Sequence, residues 1–357
     1  MLQADVQENP IAGQAQLAEV LRVACQGRGG IRVRLKGWLK WLVRRSAMAQ
    51  ALASPGRGRG WSLGPRGYVI TYRKVERRPV GPFGMQALDA GAFAEHVEYL
   101  ARRYEIVPLS VLTQGLRSGK LPTRAVSLTF DDGYRNNLVL AHPILQRNRI
   151  PATLFVTAGL VGTRQWMWPA ELVEMALRYG MAEVGAATGD SLLSALLQAE
   201  LPPSMRAEAG IEYLLRMGPG VREPVMARLR ERFPVEPDDE NLFLSWDEVR
   251  ALKAGGMEIG SHTMTHPVLP DLDEEHVERE LCASRNEITR RVGEAPTLFC
   301  YPHGVFSEPV KALTGRYYGA AVSTIPGENT ARTDLLELRR VTAYSVEDLS
   351  FQAASSR

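Results

Sequence analysis

Short apolar segments with strand character alternate with helix patterns along most of the chain beyond residue 67. Strand character is found in GYVITYRKV, AVSLTF, ATLFVTAG, MEIGSH and TLFCYP, whereas helical patterns are found in AGAFAEHVEYLARRY and EEHVERELCASRNEITRRVG. Strands that are separated by helices form parallel βαβ units, and functional residues then lie at the carboxyl ends of the strands. The sequence therefore predicts an α/β fold built on a parallel sheet.

Two segments do not follow this alternation. Residues 1–66 precede it and end in the Gly- and Pro-rich stretch ASPGRGRGWSLGPRG, which is typical of a linker. Residues from about 179 to 241 are rich in Leu, Ala, Arg and Met and have few strand signals. We therefore predict an N-terminal basic helix and linker over residues 1–66, and an α/β domain over residues 67–357 that carries a helical insertion.

The N-terminal segment is strongly basic. Residues 20–75 contain 13 Lys or Arg and no Asp or Glu, although the net charge of the whole chain is only +3. Residues 31–45, IRVRLKGWLKWLVRR, form a predicted helix with four apolar side chains on one face: Leu35, Trp38, Leu39 and Leu42. Such a helix either packs on the acidic remainder of the protein or lies on an anionic membrane surface. The pattern leaves both interpretations open.

The termini, hydropathy and cysteines bear on the compartment. MLQADVQENP has no apolar core of a signal peptide, and the chain has no run of 18 apolar residues. Cys25, Cys282 and Cys300 are widely spaced and form no C-x-x-C pair, which favours a reducing environment. We expect a cytoplasmic protein, with peripheral contact at the inner membrane face if the basic helix binds lipid, and no nucleic-acid partner.

Two adjacent carboxylates follow a predicted strand in SLTFDDGY, residues 127–134. Like charges at this distance oppose each other's ionisation, so Asp131 and Asp132 predict a cation that binds one carboxylate and frees the other to act as a base. GSHTMTH supplies further ligands after another strand, because His262 and His266 are four residues apart and can face the same way. Two histidines and one aspartate leave coordination positions open, as a hydrolytic metal site requires.

Four ordered phrases between about residues 67 and 349 resemble a known family: LPTRAVSLTFDDGY, PATLFV, LSWDEVRALKAGGMEIGSHTMTHPVL and TLFCYPHG. Together they are similar to the polysaccharide deacetylases of the NodB-homology type, carbohydrate esterase family 4. The resemblance implies a distorted (β/α) barrel that removes acetyl groups from N-acetylated sugars with a divalent metal. The expected partner is thus an acetylated sugar or a sugar-containing small molecule.

The resemblance also implies roles for individual residues. Asp132, His262 and His266 would bind the metal, most simply Zn²⁺ with Co²⁺, Ni²⁺ or Fe²⁺ as alternatives, and Asp131 would be the general base. Arg340 matches the arginine that pairs with the base, the other interpretation being an ordinary surface arginine.

Substrate contacts are expected from residues beside these motifs, namely Tyr134, Tyr301, Pro302, Trp166 and Trp168. The two tryptophans, in RQWMWPAEL, either stack on a sugar face or cover the core.

Two residues depart from the family's pattern. His303 in TLFCYPHG stands where Tyr or Trp is usual, and Arg73 in YRKV stands where relatives with a YHRV-like strand have a general-acid histidine. An arginine stays protonated and cannot transfer a proton, although it can stabilise negative charge. Three outcomes are open: His303 serves as the acid, the substrate is an O-acetyl ester that needs less acid assistance, or the protein binds metal and saccharide without turnover.

Overall fold

The computed structural model of the protein describes residues 66–77, 87–165, 167–200, 203–237, 242–343, 345–346 and 349. These residues form two compact units, one from Met167 to Glu236 and one from the remaining segments. The predicted helix over residues 31–45 and Trp166 lie outside the described residues. The domain boundaries predicted from the sequence stay predictions.

The larger unit is built around a parallel sheet. Its strands in the described part of the chain are β1 (Arg66–Tyr72), β2 (Lys74–Glu76), β3 (Ala87–Asp89), β4 (Glu105–Ile106), β5 (Ala125–Phe130), β6 (Thr153–Val156), β7 (Glu258–Ser261), β8 (Leu298–Cys300), β9 (Ala320–Val322), β10 (Asn329–Thr330) and β11 (Val341–Thr342). The helices of both units are α1 (Ala90–Arg103), α2 (Leu109–Ser118), α3 (His142–Asn148), α4 (Trp168–Tyr179), α5 (Met181–Ala187), α6 (Ser191–Gln198), α7 (Pro203–Met217), α8 (Pro219–Arg232), α9 (Trp246–Ala254), α10 (Glu274–Val292) and α11 (Glu308–Tyr317).

The strand order in the main sheet is β10-β1-β5-β6-β7-β8-β9, with β11 also beside β1 and β4 also beside β5. The β1–β10 pair is antiparallel, and the other pairs in this sheet are parallel. The carboxyl ends of β1, β5, β6, β7 and β8 therefore lie at one edge of the curled sheet, where functional loops of such folds collect. The α/β class predicted from the alternating pattern is confirmed.

Burial on both faces explains the composition of the central strands. All six residues of β5, AVSLTF, are buried, as expected of a parallel strand that helices or loops cover on each side. Helix ends are set by local capping: Ser245 and Glu248 form a capping box at the start of α9, and Gly293 ends α10 in the left-handed conformation.

The predicted strand GYVITYRKV is interrupted at Arg73. Strand β1 ends at Tyr72, and the short strand β2 begins at Lys74 and pairs with β3 instead of the main sheet. Because Tyr72 is in register with Phe130, the chain leaves β1 at Arg73 beside the point where β5 runs into the two aspartates. The interruption thus places Arg73 at the functional edge of the sheet.

The smaller unit consists of helices α4 to α8 with an apolar core of its own. Leu193, Leu196, Leu214 and Met226 are among its fully buried side chains. At the start of α6 the Asp190 carboxylate accepts hydrogen bonds from two backbone amides. No helix in the described part of the chain is long and apolar enough to cross a membrane.

Candidate active site

The two adjacent aspartates face different partners at the end of β5. Asp131 directly follows Phe130, the last residue of β5, whereas Asp132 has a positive φ of 74°, in the left-handed region that L-residues rarely adopt. Thr263, His266 and His303 also have positive φ values, of 67°, 62° and 57°. Such conformations cluster at functional sites, where the surrounding structure holds them against their intrinsic cost.

Asp131 forms a bidentate ion pair with Arg340. Both guanidinium Nη atoms donate to the carboxylate at 2.8 Å, and the Arg340 Nε–H donates to the Ser323 carbonyl oxygen at 2.8 Å. Both residues are buried, so Arg340 is not the surface arginine that the sequence left as an alternative. Burial alone would raise the pKa of Asp131, but Arg340 holds it below its ordinary value, so the carboxylate is ionised at neutral pH.

Asp132 faces the two histidines of GSHTMTH. Its Oδ1 atom lies 3.3 Å from Nε2 of His262 and 3.4 Å from Nε2 of His266. The two imidazole rings meet edge to face, with their centroids 4.7 Å apart. The ligand atoms of the three residues lie within 4.8 Å of one another, and all three side chains are buried. The three predicted metal ligands are therefore brought together.

The orientation of His262 is set by a backbone group. Its Nδ1 atom lies 2.7 Å from the Cys300 carbonyl oxygen, which can only accept a hydrogen bond, so Nδ1 carries the proton. In the neutral imidazole, Nε2 then presents its lone pair to Asp132. This arrangement, in which a protein acceptor fixes the tautomer, is typical of histidines that ligate metals.

The group formed by Asp132, His262 and His266 fits a divalent cation. Asp132 Oδ1 and His266 Nε2 are buried and have no hydrogen-bond partner among the described residues. Burial lowers the pKa of His266 to about 4, so this imidazole is neutral at pH 7. Burial also opposes a charge on His262, yet the Cys300 and Asp132 groups around it hold its pKa well above the usual value. The pocket therefore attracts positive charge, and its two nitrogens and one oxygen suit Zn²⁺, Co²⁺, Ni²⁺ or Fe²⁺.

A second group of potential ligands, Asp131, His262 and Cys300, is a poorer cation site. Arg340 already occupies both oxygens of Asp131, and its Nη2 lies 3.3 Å from the Cys300 sulfur. Burial raises the pKa of the Cys300 thiol, which disfavours the thiolate that a metal needs. Of the two groups, Asp132 with the histidine pair is therefore the better candidate for a cation site.

Arg73 contacts the candidate metal-binding group directly. Its Nε–H donates to Oδ2 of Asp132, the oxygen that does not face the histidines. Burial alone would raise the pKa of Asp132, but the Arg73 guanidinium and the two imidazoles hold it well below its usual range. The Arg73 side chain keeps 19% of its surface exposed, whereas that of Asp132 keeps none. Arg73 thus orients Asp132 and adds a permanent positive charge to the site.

His303 also belongs to the site. Its ring lies edge to face against that of His266, with the centroids 4.6 Å apart. Burial, followed by the electrostatic effect of the neighbouring histidines and Arg73, holds the pKa of His303 well below its ordinary value. The imidazole is therefore neutral at pH 7, a state that does not favour proton donation to a leaving group.

Three further predicted residues occupy buried positions beside these motifs. Tyr134 is 1% exposed, stacks on Phe243 and lies under the Lys74 ammonium group. Tyr301 is fully buried, and its hydroxyl donates to the Leu336 carbonyl oxygen. Pro302 is buried at the start of the turn that carries His303. Packing accounts for both tyrosine rings, and a direct contact of either ring with substrate stays a prediction that their burial does not support.

Trp168 begins α4 in the smaller unit. Its indole is partly buried against the apolar core of that unit and lies 5.1 Å from the Arg222 guanidinium in a cation–π contact. This placement agrees with the core-covering interpretation of the tryptophan, while a sugar contact stays a prediction.

Sequence reasoning did not identify two groups that support the site. Thr71 Oγ1 lies 3.4 Å from Asp131 Oδ2, one strand away from the aspartate. Glu280, on α10, accepts three hydrogen bonds from the loop between His262 and His266. No motif marks either residue, because each acts through a contact between segments that are distant in the sequence.

Comparisons with known proteins support this description of the fold. A family model described as polysaccharide deacetylase matches residues 118–199 and 226–319. Similar solved structures include the Streptococcus pyogenes deacetylase PplD in complex with acetate, at 17% identity and a TM-score of 0.54 over 80% of this chain and 97% of that one.

IcaB from Ammonifex degensii has 17% identity and a TM-score of 0.54 over 82% of this chain and 98% of that one. BC0361, a polysaccharide deacetylase from Bacillus cereus, has 18% identity and a TM-score of 0.53 over 81% and 69% of the two chains. A comparison with curated proteins finds no significant match. At these identities the structural likeness concerns the fold, and it confirms the predicted distorted barrel.

Proposed function

Since the chain belongs to the polysaccharide deacetylase family, we propose that it is a metal-dependent hydrolase that removes an acetyl group from an N-acetylated sugar or a sugar-containing metabolite. The observation that supports this proposal most is the juxtaposition at the end of β5. An ionised carboxylate, Asp131, lies next to a convergent donor group made by Asp132, His262 and His266. A base beside a cation site is what hydrolysis of an amide or ester requires.

In the proposed mechanism Asp132, His262 and His266 hold the divalent cation, with Zn²⁺ as the first candidate. A cation there would supply Lewis acidity and lower the pKa of water. Asp131 accepts the proton of the attacking water, since its pairing with Arg340 keeps it ionised and orients both of its oxygens.

Two more groups have proposed roles towards the acyl group. We assign the backbone N–H of His303 to the oxyanion that develops on the acyl oxygen, by analogy with the family's motif. Arg73 holds Asp132 through Oδ2 and leaves Oδ1 to face the histidines.

A second candidate function is hydrolysis of an O-acetyl ester. It is favoured by the charge states on the leaving-group side of the site, where Arg73 is permanently protonated and His303 is held neutral. An alcohol leaving group needs less protonation than an amine, so an ester tolerates the loss of a general acid better. A third candidate, binding of metal and saccharide without turnover, follows from the same contact of Arg73.

The place of action is also a proposal. We propose that the protein acts in the cytoplasm on a small or carrier-linked acetylated sugar, and that residues 31–45 allow contact with the inner face of the membrane. A sedimentation assay with anionic and neutral vesicles tests the contact. Equal binding of the intact protein and of a variant that lacks residues 1–45 would contradict it.

The function is tested by measuring acetate release from matched N-acetylated and O-acetylated sugars, together with the divalent metal content of the purified protein. We expect bound metal and acetate release, with release by the Asp131→Asn variant slower by about 10²–10⁴-fold. Release from O-acetylated substrates alone would favour the ester candidate. Bound metal without release from any substrate, together with activity gained by Arg73→His, would favour the binding protein.

A further inference from the structure

The segment after β6 holds the loop between His262 and His266 through backbone hydrogen bonds. The Ala158 N–H donates to the Thr263 carbonyl oxygen at 3.0 Å, and the Gly159 N–H donates to the Met264 carbonyl oxygen at 2.9 Å. A Cβ atom on Gly159 would lie 2.6 Å from that carbonyl oxygen. This close approach requires glycine, so the contact is a specific packing feature of the loop.

Helix α10 holds the same loop from the other side through one carboxylate. The backbone amides of Met264 and Thr265 both donate to Oε2 of Glu280, at 2.8 and 2.9 Å, and the Thr265 hydroxyl donates to Oε1 at 2.6 Å. Hydrogen bonds to an ionised acceptor are about twice as strong as neutral ones. The Met264 residue is thereby fixed at its N–H by Glu280 and at its carbonyl by Gly159.

The two histidines depend on this loop to different degrees. His262 is anchored without it, since its N–H donates to the Val156 carbonyl oxygen at 2.9 Å and its Nδ1 to the Cys300 carbonyl oxygen at 2.7 Å. His266 has only a local anchor, from its N–H to Thr263 Oγ1 at 3.0 Å, and its Nε2 has no hydrogen-bond partner among the described residues.

Both residues of that local anchor, Thr263 and His266, have a positive φ. A loop with two such residues relaxes when the contacts that impose the conformation are removed. The position of His266 relative to Asp132 is therefore set by the contacts of the loop.

We propose that Glu280 is a positioning residue that sets the distance between His266 and Asp132, and with it the affinity of the site for a divalent cation. This inference rests on the proposed metal-dependent function. Glu280 contacts the loop and not the cation, so it acts through the backbone. Loss of an outer group that orients a ligand typically weakens metal binding by about 10–100-fold.

The test measures Zn²⁺ affinity by competition with a chromophoric chelator, and amide hydrogen exchange of the loop in metal-free protein. We expect Glu280→Ala to bind Zn²⁺ about 10–100-fold more weakly and its Met264 and Thr265 amides to exchange faster. Glu280→Gln should stay within a few-fold of the wild type, because its amide oxygen accepts both N–H groups and its amino group can donate to Thr265 Oγ1. This rescue separates positioning from the charge of Glu280.

Glu275 provides the matched control. It lies on the same helix, its side chain is 83% exposed, and its ion-pair partner is Arg279 at 3.7 Å. Glu275→Ala should leave both Zn²⁺ affinity and loop exchange unchanged. If Glu280→Ala does not fold, Thr265→Val removes only the hydroxyl contact with Glu280, and we expect a smaller loss of affinity in the same direction.

The outcomes separate this inference from the proposed function. Wild-type affinity and wild-type loop exchange in a folded Glu280→Ala protein would overturn the inference and leave the function intact. A wild-type protein that binds no divalent cation would overturn the metal-dependent function and the role of Glu280 in affinity. The exchange comparison needs no metal, and unchanged exchange in the variant would then also exclude Glu280 as the group that holds the loop.

Discussion

Asp131 and Asp132 are neighbours of the same residue type, yet their surroundings are opposite. Asp131 has both oxygens paired with one guanidinium at 2.8 Å. Asp132 has one oxygen paired with Arg73, while the other faces two imidazole nitrogens without a hydrogen bond from any described residue. The difference shows that a single guanidinium occupies both oxygens of Asp131, whereas Asp132 keeps one oxygen directed at two imidazole nitrogens, as a cation site requires.

The largest expected difference between the two carboxylates is in catalysis. Asp131→Asn should lower the rate of acetate release by about 10²–10⁴-fold, as expected for loss of a general base, and leave metal content unchanged. Asp132→Asn should lower both the rate of acetate release and the metal content, because it alters the proposed metal-binding group itself. Acetate assays beside elemental analysis of the purified variants check this. An active Asp131→Asn protein would show that the base lies elsewhere.

The two ion pairs should differ in their contribution to folding. Arg340→Met should lower the free energy of unfolding by about 3–5 kcal/mol, because it leaves the Asp131 carboxylate buried without a partner. Arg73→Met should cost less, since Asp132 still faces His262 and His266 and the Arg73 side chain is partly exposed. Urea unfolding at pH 7 measures both. A larger loss of unfolding free energy in Arg73→Met than in Arg340→Met would contradict this prediction.

A cation bound at Asp132 should stabilise the folded protein, and this stabilisation should not depend on Asp131. At a free Zn²⁺ concentration 100 times the dissociation constant, the free energy of unfolding should rise by about 2.7 kcal/mol. Chelation should remove this increment from the wild type and from Asp131→Asn. His266→Ala should show little increment with or without Zn²⁺, as measured by thermal unfolding. A full increment in His266→Ala would exclude this histidine as a ligand.

The contribution of the Asp131–Arg340 pair to the free energy of unfolding should depend on pH. Because Arg340 holds the pKa of Asp131 below its ordinary value of about 4, the pair stabilises the fold above that value, and the contribution is lost as pH falls through the lower pKa of the folded state. The difference in unfolding free energy between the wild type and Arg340→Met should therefore be largest near neutral pH and shrink on acidification. A difference that grows below pH 4 would contradict this assignment.

The smallest effect is expected at His303. Because its pKa is held well below the ordinary value, the neutral imidazole should contribute little as an acid, and His303→Phe should change the rate of acetate release by less than about threefold. Full kinetics on the best substrate of the acetate panel provide the measurement. A loss of 100-fold with unchanged metal content would identify His303 as the replacement acid.

Much of the arrangement could be predicted because it is local. The pattern of AVSLTF predicts a buried strand, and DD at its end predicts carboxylates at the edge of a parallel sheet. The spacing of His262 and His266 keeps them close along the chain, but the loop between them is not helical, and its conformation depends on contacts with distant segments. For Arg340, burial excludes the surface position that the sequence left as an alternative, because only a folded chain can place it against Asp131, 209 residues away.

Local patterns in the sequence predict the α/β class, the strand ends that carry the functional loops, and the residue types available for a cation and a base. Folding is needed to show that β1 breaks at Arg73, that the Arg73 guanidinium pairs with Asp132, and that Glu280 binds the loop between the histidines. The two kinds of feature differ in the sequence separation of the residues involved. Strand patterns and motif spacings follow from the backbone geometry of neighbouring residues, whereas burial and ion pairing depend on which distant segments the packed sheet brings together.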